Sequence, residues 1–211
     1  MVIFLCNAVK EFDIDNILRV SDLLAEHETD FTYVVGKSHY QQLIASLIND
    51  PGVDGCHFTF VYDDTEPEEL GTDYAMYLAR HTLIKDDHFF IVRPDTTVTK
   101  EDIDLIVRKD LTCVAAEVSS NIKDKDMLLI CGENRRIQAV AVKEPNSVVP
   151  ENVKVSKGLL YVKKSLGYAI RLILTTYRKD TLAFKVSSMS RTYLLSRLLT
   201  RNFGVYPSEI K

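Results

Sequence analysis

LGTDYAMYLARHTLIKDDHFFIVRPDTTVTKED, residues Leu70–Asp102, is the stretch that decides the fold of this chain. From Gly71 to Lys85 the apolar residues recur at helical spacing with charged residues on the other side, which predicts an amphipathic helix. The apolar run HFFIV (His88–Val92) follows between Asp-Asp and Arg-Pro. A run of this length is typical of a strand covered on both faces. A helix followed by such a strand indicates an α/β protein with a central parallel strand.

The residues after this strand are polar. Thr99 can cap a helix, and Glu101 and Asp102 place negative charge in its first turn, so a second helix is predicted to start here. Asp95 lies between the strand and this helix. Because open α/β sheets bind their ligands at the carboxyl ends of the strands, Asp95 is the first candidate site residue.

The rest of the chain repeats the alternation of strands and helices, with a β-hairpin predicted over Met127–Val142. The predicted strands before the central stretch are Val2–Cys6, Phe31–Val35 and His57–Tyr62, and the predicted helices are Ile14–Glu26 and Tyr40–Ile48. We expect one compact domain, with residues 1–153 forming the α/β core. Residues 154–211 are expected to add the final core strand and a basic helical region that ends at Gly204.

This order of segments resembles the core of the sugar-phosphate nucleotidyltransferases, in which a Leu-Gly-Thr turn and helix precede a strand that ends in Gly-Asp. The resemblance implies a Rossmann-like three-layer sandwich with a mostly parallel central sheet, of the nucleotide-diphospho-sugar transferase type. It also implies that Gly71 and Thr72 approach the nucleobase and that Asp95 binds a catalytic Mg²⁺. Glycosyltransferases with the same nucleotide-binding fold look similar at lower resolution.

Three segments depart from the family's motifs. Asn7–Glu11 stands where the family has a Gly-rich phosphate loop, and it contains neither Gly nor Arg. Lys143 precedes Glu144 where the family has Glu-Lys-Pro, and Lys163-Lys164 follows the strand that normally leads to a second metal-binding aspartate. Lys143, Lys163 and Lys164 are therefore the candidate phosphate-binding residues. Since phosphoryl transfer depends on positioning and charge stabilisation, these departures leave catalytic activity open.

Three functions fit this sequence. The first is a divergent nucleotidyltransferase-like protein that binds a nucleotide or nucleotide sugar and, if active, transfers a nucleotidyl group to a sugar phosphate. The second is a glycosyltransferase that binds its metal through Asp63, Asp64 or Asp95 and could use a nucleic-acid acceptor. The third is a catalytically inactive interaction or regulatory subunit, and a homo-oligomer is compatible with all three.

Charge is distributed unevenly along the chain. From Lys154 to the end there are 12 Lys and Arg residues and two acidic ones, a net charge of +10, so the remainder has −14. The basic region is a candidate surface for a nucleic-acid or protein partner. No apolar run approaches the roughly 20 residues that cross a bilayer, and we expect a cytoplasmic protein with no membrane partner.

The four cysteines indicate no metal or disulfide chemistry. Cys6, Cys56, Cys113 and Cys131 lie far apart and form no Cys-x-x-Cys pair. We expect reduced thiols in buried, apolar surroundings.

Overall fold

The computed structural model describes residues 1–8, 11–63, 71–83, 86–124, 126–132, 137–151, 153–164 and 204–207. Within these residues the helices are α1 (Ile14–Ala25), α2 (Tyr40–Ile48), α3 (Gly71–Leu78) and α4 (Lys100–Lys109). The strands are β1 (Val2–Leu5), β2 (Asp30–Gly36), β3 (His57–Asp63), β4 (His88–Val92), β5 (Cys113–Glu117), β6 (Met127–Cys131), β7 (Ile137–Val142), β8 (Val153–Lys163) and β9 (Gly204–Pro207). The helices predicted between residues 166 and 202 lie outside the described residues.

The strands form a mixed, mostly parallel sheet in the order β3-β2-β1-β4-β8-β5-β9. Strands β1 to β4 pair in parallel, and β9 is parallel to β5. Strand β8 runs antiparallel between β4 and β5. The predicted hairpin is confirmed as β6 and β7, and β6 joins the sheet through the first residues of β8. The prediction of an α/β protein with a mostly parallel sheet is therefore confirmed.

Alternation of side chains along the buried strands builds two hydrophobic clusters. On β1, Ile3 and Leu5 belong to one cluster, which includes residues of α3 and of the β6–β7 hairpin. Val2 and Phe4 belong to the other cluster, which includes residues of α1, α2 and α4. Successive residues of a strand point to opposite faces of the sheet, so the sheet is covered by apolar side chains on both faces.

The two helices on either side of β4 differ in how well the sequence predicted them. Helix α4 begins as expected, because the Thr99 hydroxyl accepts a hydrogen bond from the amide of Asp102, and the Asp102 carboxylate accepts one from the amide of Thr99. Helix α3 ends earlier than predicted. It runs only from Gly71 to Leu78, and a 3₁₀ turn follows over Ala79–His81.

The carboxyl-terminal segment contains a strand that the sequence did not predict. The sequence predicted that a helix ends at Gly204, and the structure shows that Gly204–Pro207 extends the sheet beside β5. Pairing with β5 is a tertiary effect that local propensity does not report. No helix in the described part of the chain is long and apolar enough to cross a membrane.

All four cysteines are free thiols, as predicted. Cys6 and Cys113 are buried, and Cys56 and Cys131 are partly exposed.

Candidate functional site

The sheet places a topological switch point between β1 and β4. From β1 the chain continues through α1 to β2 on one side, whereas β4 pairs with the other edge of β1. In open α/β sheets such a switch point leaves a crevice at the carboxyl ends of the strands, where ligands bind. Asn7 follows β1 and Asp95 follows β4, so polar residues flank this crevice on both sides.

Asp95 does not stand alone at this edge, because Arg93 forms a bidentate ion pair with it. The Arg93 Nε donates to Oδ1 of Asp95 at 2.9 Å, and Nη2 donates to Oδ2 at 2.6 Å. The Arg93 side chain is 17% exposed and that of Asp95 is 53% exposed. Both carboxylate oxygens of the predicted magnesium ligand therefore accept hydrogen bonds from a guanidinium group.

Helix α1 holds the loop that contains this pair. The Asn16 side-chain amide donates to the carbonyl oxygens of Pro94 at 3.1 Å and Thr96 at 3.0 Å. The Arg19 guanidinium donates to the carbonyl oxygen of Val98 at 3.0 Å. Because buried carbonyl groups need such partners, one face of α1 fixes the conformation of the loop between β4 and α4.

Strand β8 holds the same loop from the other side. The Arg93 amide donates to the carbonyl oxygen of Gly158 at 2.8 Å, and the Thr96 hydroxyl donates to that of Lys157 at 2.6 Å. Gly158 has φ of +82°, and a Cβ there would lie 3.1 Å from the Thr96 Cα. Only glycine combines this left-handed backbone with so close an approach.

A cavity of about 160 Å³ opens beside the Arg93–Asp95 pair. It lies among the carboxyl ends of β4 and β5 and the first residues of β6 and β8. Its charged and polar lining includes Arg93, Asp95, Glu117, Lys123, Asp126 and Ser156. A concave space with several convergent polar groups is the usual form of a small-ligand site.

A buried ion pair lies next to the cavity. Lys157 Nζ lies 2.7 Å from Oδ2 of Asp102 and 3.7 Å from Oε2 of Glu117, and the first two side chains are 8% and 4% exposed. The Asp102 carboxylate also caps α4. Lys157 therefore connects the start of α4 to a carboxylate that lines the cavity.

On the other side of the switch point, Asn7 and Asp63 form a second polar pair. The Asn7 amide nitrogen donates to Oδ2 of Asp63 at 2.9 Å, and both residues are buried. The Oδ1 atom of Asn7 has no hydrogen-bond partner among the described residues. A buried amide oxygen without a partner is a costly arrangement that a donor group on a ligand would relieve.

Helix α3 packs against the 3₁₀ turn Cys6–Ala8, which contains Asn7. Gly71 and Thr72, the two predicted base-binding positions, are the first residues of this helix. Their contact with a base remains a prediction. Asp64 lies outside the described residues.

Lys143 lies next to the cavity, but its side chain points to other partners. Its amide donates to the carbonyl oxygen of Asp126 at 2.9 Å. Its Nζ donates to the carbonyl oxygen of Glu144 at 2.7 Å and lies 3.5 Å from Oδ1 of Asp124. Phosphate binding by Lys143 remains a prediction, and it would require a different side-chain conformation.

Lys163 and Lys164 lie at the opposite edge of the sheet. Strand β8 is antiparallel to β4, with Lys163 beside His88 and Leu159 beside Val92. Four residue steps of about 3.3 Å separate the two ends of β4, so about 13 Å or more separates these lysines from the Arg93–Asp95 pair. The structure does not bring them together with Asp95.

Both lysines form ion pairs at that amino edge. Lys163 donates to Asp110, which also accepts from the Tyr161 hydroxyl at 2.8 Å. The two hydrogen bonds, that of Lys163 first, lower the pKa of the Asp110 carboxyl. Lys164 donates to Asp87 at 3.1 Å and lowers the pKa of that carboxyl.

The donor set at Asp95 does not fit a magnesium ion in the arrangement observed. Arg93 occupies both oxygens of the carboxylate, and a metal bound there would face its positive charge. Among the residues that the structure describes, no three His, Cys, Asp or Glu side chains gather as a metal-binding group. Asp63, the alternative metal ligand, is buried and accepts from Asn7.

Comparison with solved structures finds the same fold in known proteins. The inositol-1-phosphate CTP transferase from T. maritima is 14% identical, with a TM-score of 0.67 over 98% of this chain and 84% of that one. UDP-glucose pyrophosphorylase, solved with UDP-glucose, is 14% identical, with a TM-score of 0.61 over 98% and 89% of the two chains. A structure named mannose-6-phosphate isomerase from Helicobacter pylori is 10% identical, with a TM-score of 0.67 over 100% and 97%.

These likenesses show that the chain has a sugar-phosphate nucleotidyltransferase-like fold. No protein-family model matches the sequence, and no curated protein matches it. At 10–17% identity the fold is shared, whereas the site residues must be judged from this chain's own geometry.

Sequence reasoning missed three of the residues that build this site. Arg93 was available as a signal, because it is a charged residue at the end of the buried strand, two residues before Asp95. Asn7 could have been found as the first polar residue after β1. Glu117 ends β5 at the same edge, but only the neighbouring β8 shows that it lines a cavity.

Proposed function

We propose that this chain is a divergent nucleotidyltransferase-like protein, a three-layer sandwich of the nucleotide-diphospho-sugar transferase type, that binds a nucleotide or nucleotide sugar at the carboxyl edge. The observation on which the proposal rests is that two polar pairs, Asn7–Asp63 and Arg93–Asp95, flank the switch point between β1 and β4. The nucleotide occupies the side of Asn7 and Gly71. The sugar occupies the cavity.

The buried pair supports nucleotide binding on its side. Nucleobases present N–H donors, and the free Oδ1 of Asn7 is an acceptor in a region that excludes water. Gly71 at the start of α3 allows the close backbone approach that the family resemblance implies. The cavity supports sugar binding, because its carboxylates and hydroxyl groups match the hydroxyls of a sugar.

The reaction that fits this arrangement is nucleotidyl transfer to a sugar phosphate. An oxygen of the sugar phosphate attacks the α-phosphorus of a nucleoside triphosphate, the bond to the β-phosphate breaks, and pyrophosphate leaves. Arg93 and Lys123 are the cations that this chain places near the sugar phosphate. The Asp95 carboxylate is paired with Arg93, so it does not supply a magnesium ligand in this arrangement.

A binding protein without transfer activity is the second candidate. The Arg93–Asp95 pair favours this candidate. If Arg93 neutralises the carboxylate that would bind the metal, the site loses one means of stabilising charge on the reacting phosphates. Product analysis separates the two candidates. A transferase forms a nucleotide sugar and pyrophosphate from a nucleoside triphosphate and a sugar phosphate, whereas a binding protein forms neither.

Thermal unfolding with a panel of nucleoside triphosphates and nucleotide sugars tests the proposal. A ligand that binds only the folded chain raises its Tm. We expect a shift with at least one nucleotide, and a smaller shift for Asp63→Asn, which alters the buried pair while preserving its shape. Asp87→Asn at the amino edge is the matched control and should leave the shift unchanged. No shift with any nucleotide, with and without magnesium, would reject the proposal.

A further inference from the structure

We propose that Arg93 is the resident cation of the cavity and that it binds the phosphate group of a phosphorylated sugar without a magnesium ion. The inference deepens the proposed function, on which it rests for the class of ligand. Binding of a sugar phosphate by Arg93 does not require a nucleotide, so the inference and the proposed function can be tested separately.

Arg93 already occupies the position beside Asp95. Its Nε and Nη2 groups hydrogen-bond to both carboxylate oxygens of Asp95. The guanidinium group supplies a positive charge directly beside the Asp95 carboxylate. A divalent ion on the same oxygens would face a like charge and would have to break a bidentate pair.

The Arg93 guanidinium is held in place before any ligand binds. The Arg93 amide donates to the carbonyl oxygen of Gly158, and its carbonyl oxygen accepts from the Thr96 amide at 3.2 Å. Asp95 fixes the side chain through two bonds, and that side chain is largely buried. A group positioned in advance loses little conformational entropy when it binds a ligand.

Arg93 retains free hydrogen-bond donors at the cavity. An arginine has five N–H donors, and Asp95 accepts from two of them. The other three have no partner among the described residues, and Arg93 lines the cavity. The guanidinium fork matches the oxygens of a phosphate, so one phosphate group can bind here directly.

The charges of the cavity lining favour a ligand with a single phosphate group over one with several. The lining contains two cations, Arg93 and Lys123, and three carboxylates, those of Asp95, Glu117 and Asp126. This surplus of negative charge disfavours a triphosphate more strongly than a single phosphate group. The carboxylates in excess over the cations can accept hydrogen bonds from hydroxyl groups. A ligand with several hydroxyl groups and one phosphate group, such as a phosphorylated sugar, therefore fits this lining.

Isothermal titration of the full chain with glucose 1-phosphate, in buffer containing either MgCl₂ or EDTA, tests the inference. Inorganic phosphate and glucose serve as comparison probes. We expect the same affinity for glucose 1-phosphate in both buffers, and weaker binding of both comparison probes. Binding that disappears in EDTA would overturn the inference, and so would no binding of glucose 1-phosphate in either buffer.

Three variants separate Arg93 from a metal site. Arg93→Gln should weaken glucose 1-phosphate binding by about tenfold or more, because it removes charged hydrogen bonds. Arg93→Lys keeps the charge but loses the forked arrangement of donors. Its affinity for glucose 1-phosphate should therefore lie between those of the wild type and Arg93→Gln. Asp95→Asn should still bind glucose 1-phosphate in EDTA. If Asp95 held a magnesium ion that binds the phosphate, binding would depend on magnesium and on Asp95. Lys164→Gln removes a cation from the amino edge and should change nothing. Circular dichroism and thermal unfolding confirm that each variant is folded.

Nucleotide binding measured on the same samples separates this inference from the proposed function. A nucleotide-induced Tm shift together with magnesium-dependent binding of glucose 1-phosphate would overturn the role of Arg93 and leave the proposed function standing. Binding of glucose 1-phosphate in EDTA without any nucleotide shift would support the role of Arg93 and reject the proposed function.

Discussion

Gly158 lies so close to Thr96 that a Cβ atom on Gly158 would be 3.1 Å from the Thr96 Cα and 3.4 Å from the Arg93 Cβ. The contact joins the antiparallel strand β8 to the loop that contains Arg93 and Asp95. The position of the guanidinium therefore depends on the absence of a side chain at residue 158.

Gly158→Ala should lower the free energy of unfolding by about 1–3 kcal/mol, because alanine is strained at φ of +82° and its Cβ meets backbone atoms of Thr96. It should also weaken binding of glucose 1-phosphate by displacing Arg93. Gly55→Ala is the matched control, since Gly55 has φ of +80° with no atom within 4 Å of its Cβ position. Denaturant unfolding should give a smaller loss for Gly55→Ala. Equal losses for the two variants would show that the contact with Thr96 has no effect.

Asp102→Asn should destabilise the chain by about 3 kcal/mol or more, because it leaves the buried Lys157 ammonium without the carboxylate at 2.7 Å. Asp104→Asn, on the same helix, removes an exposed carboxylate 3.1 Å from His27 and 3.9 Å from Lys100. It should cost less than about 1 kcal/mol. Chemical denaturation of both variants gives the comparison. Similar losses would mean that the Lys157–Asp102 pair contributes no more than a surface pair.

Asp110→Asn should lower the Tm at neutral pH and have less effect in acid. The hydrogen bonds from Lys163 and Tyr161 lower the pKa of Asp110 in the folded chain. The resulting stabilisation is present above the unfolded pKa of about 3.9 and is lost as the pH falls through the lower folded value. Asparagine tolerates the left-handed backbone at this position, where φ is 49°.

Thermal unfolding of the wild type and of Asp110→Asn between neutral and acid pH measures this effect. The difference in Tm should shrink once the pH falls below about 3.9. Lys163→Gln should give the same pattern, because it removes the first of the two causes. A difference that stays constant over the whole range would contradict the assigned ion pair.

Cys6 and Cys113 should resist thiol reagents in the folded chain at mildly alkaline pH. Burial raises the pKa of Cys113 to about 12 and that of Cys6 further, so neither forms the reactive thiolate. Cys56 and Cys131 are partly exposed and should react first. A colorimetric thiol assay should show two early thiols, which Cys56→Ser and Cys131→Ser remove one at a time, and all four in denaturant. Early reaction of Cys6 or Cys113 would argue against the burial observed.

Lys163→Gln and Lys164→Gln should leave ligand-induced Tm shifts unchanged, because β8 places both lysines at the edge opposite to the cavity. The sequence predicted that they bind phosphate. A loss of the shift in either folded variant would restore that prediction and would require a second ligand site at the amino edge.

Local patterns determined the elements that depend on near neighbours. The apolar run His88–Val92 predicted β4, and Thr99 with Asp102 predicted the start of α4, because burial and helix capping act over a few residues. Helix α3 was predicted too long, since the periodicity up to Lys85 does not distinguish an α-helix from the 3₁₀ turn that ends it. The strand Gly204–Pro207 was missed because its pairing partner, β5, is about 90 residues away.

The sequence by itself determined the fold class and the position of Asp95 past the end of a buried strand. Only the tertiary structure decided which charged groups share a site. The antiparallel direction of β8 moves Lys163 and Lys164 to the far edge and brings Ser156 and Gly158 to the cavity. Strand direction is set by pairing between distant segments, and no local periodicity reports it. The Arg93–Asp95 pair likewise depends on a loop held by α1 and β8, and both elements are far from that loop in the sequence.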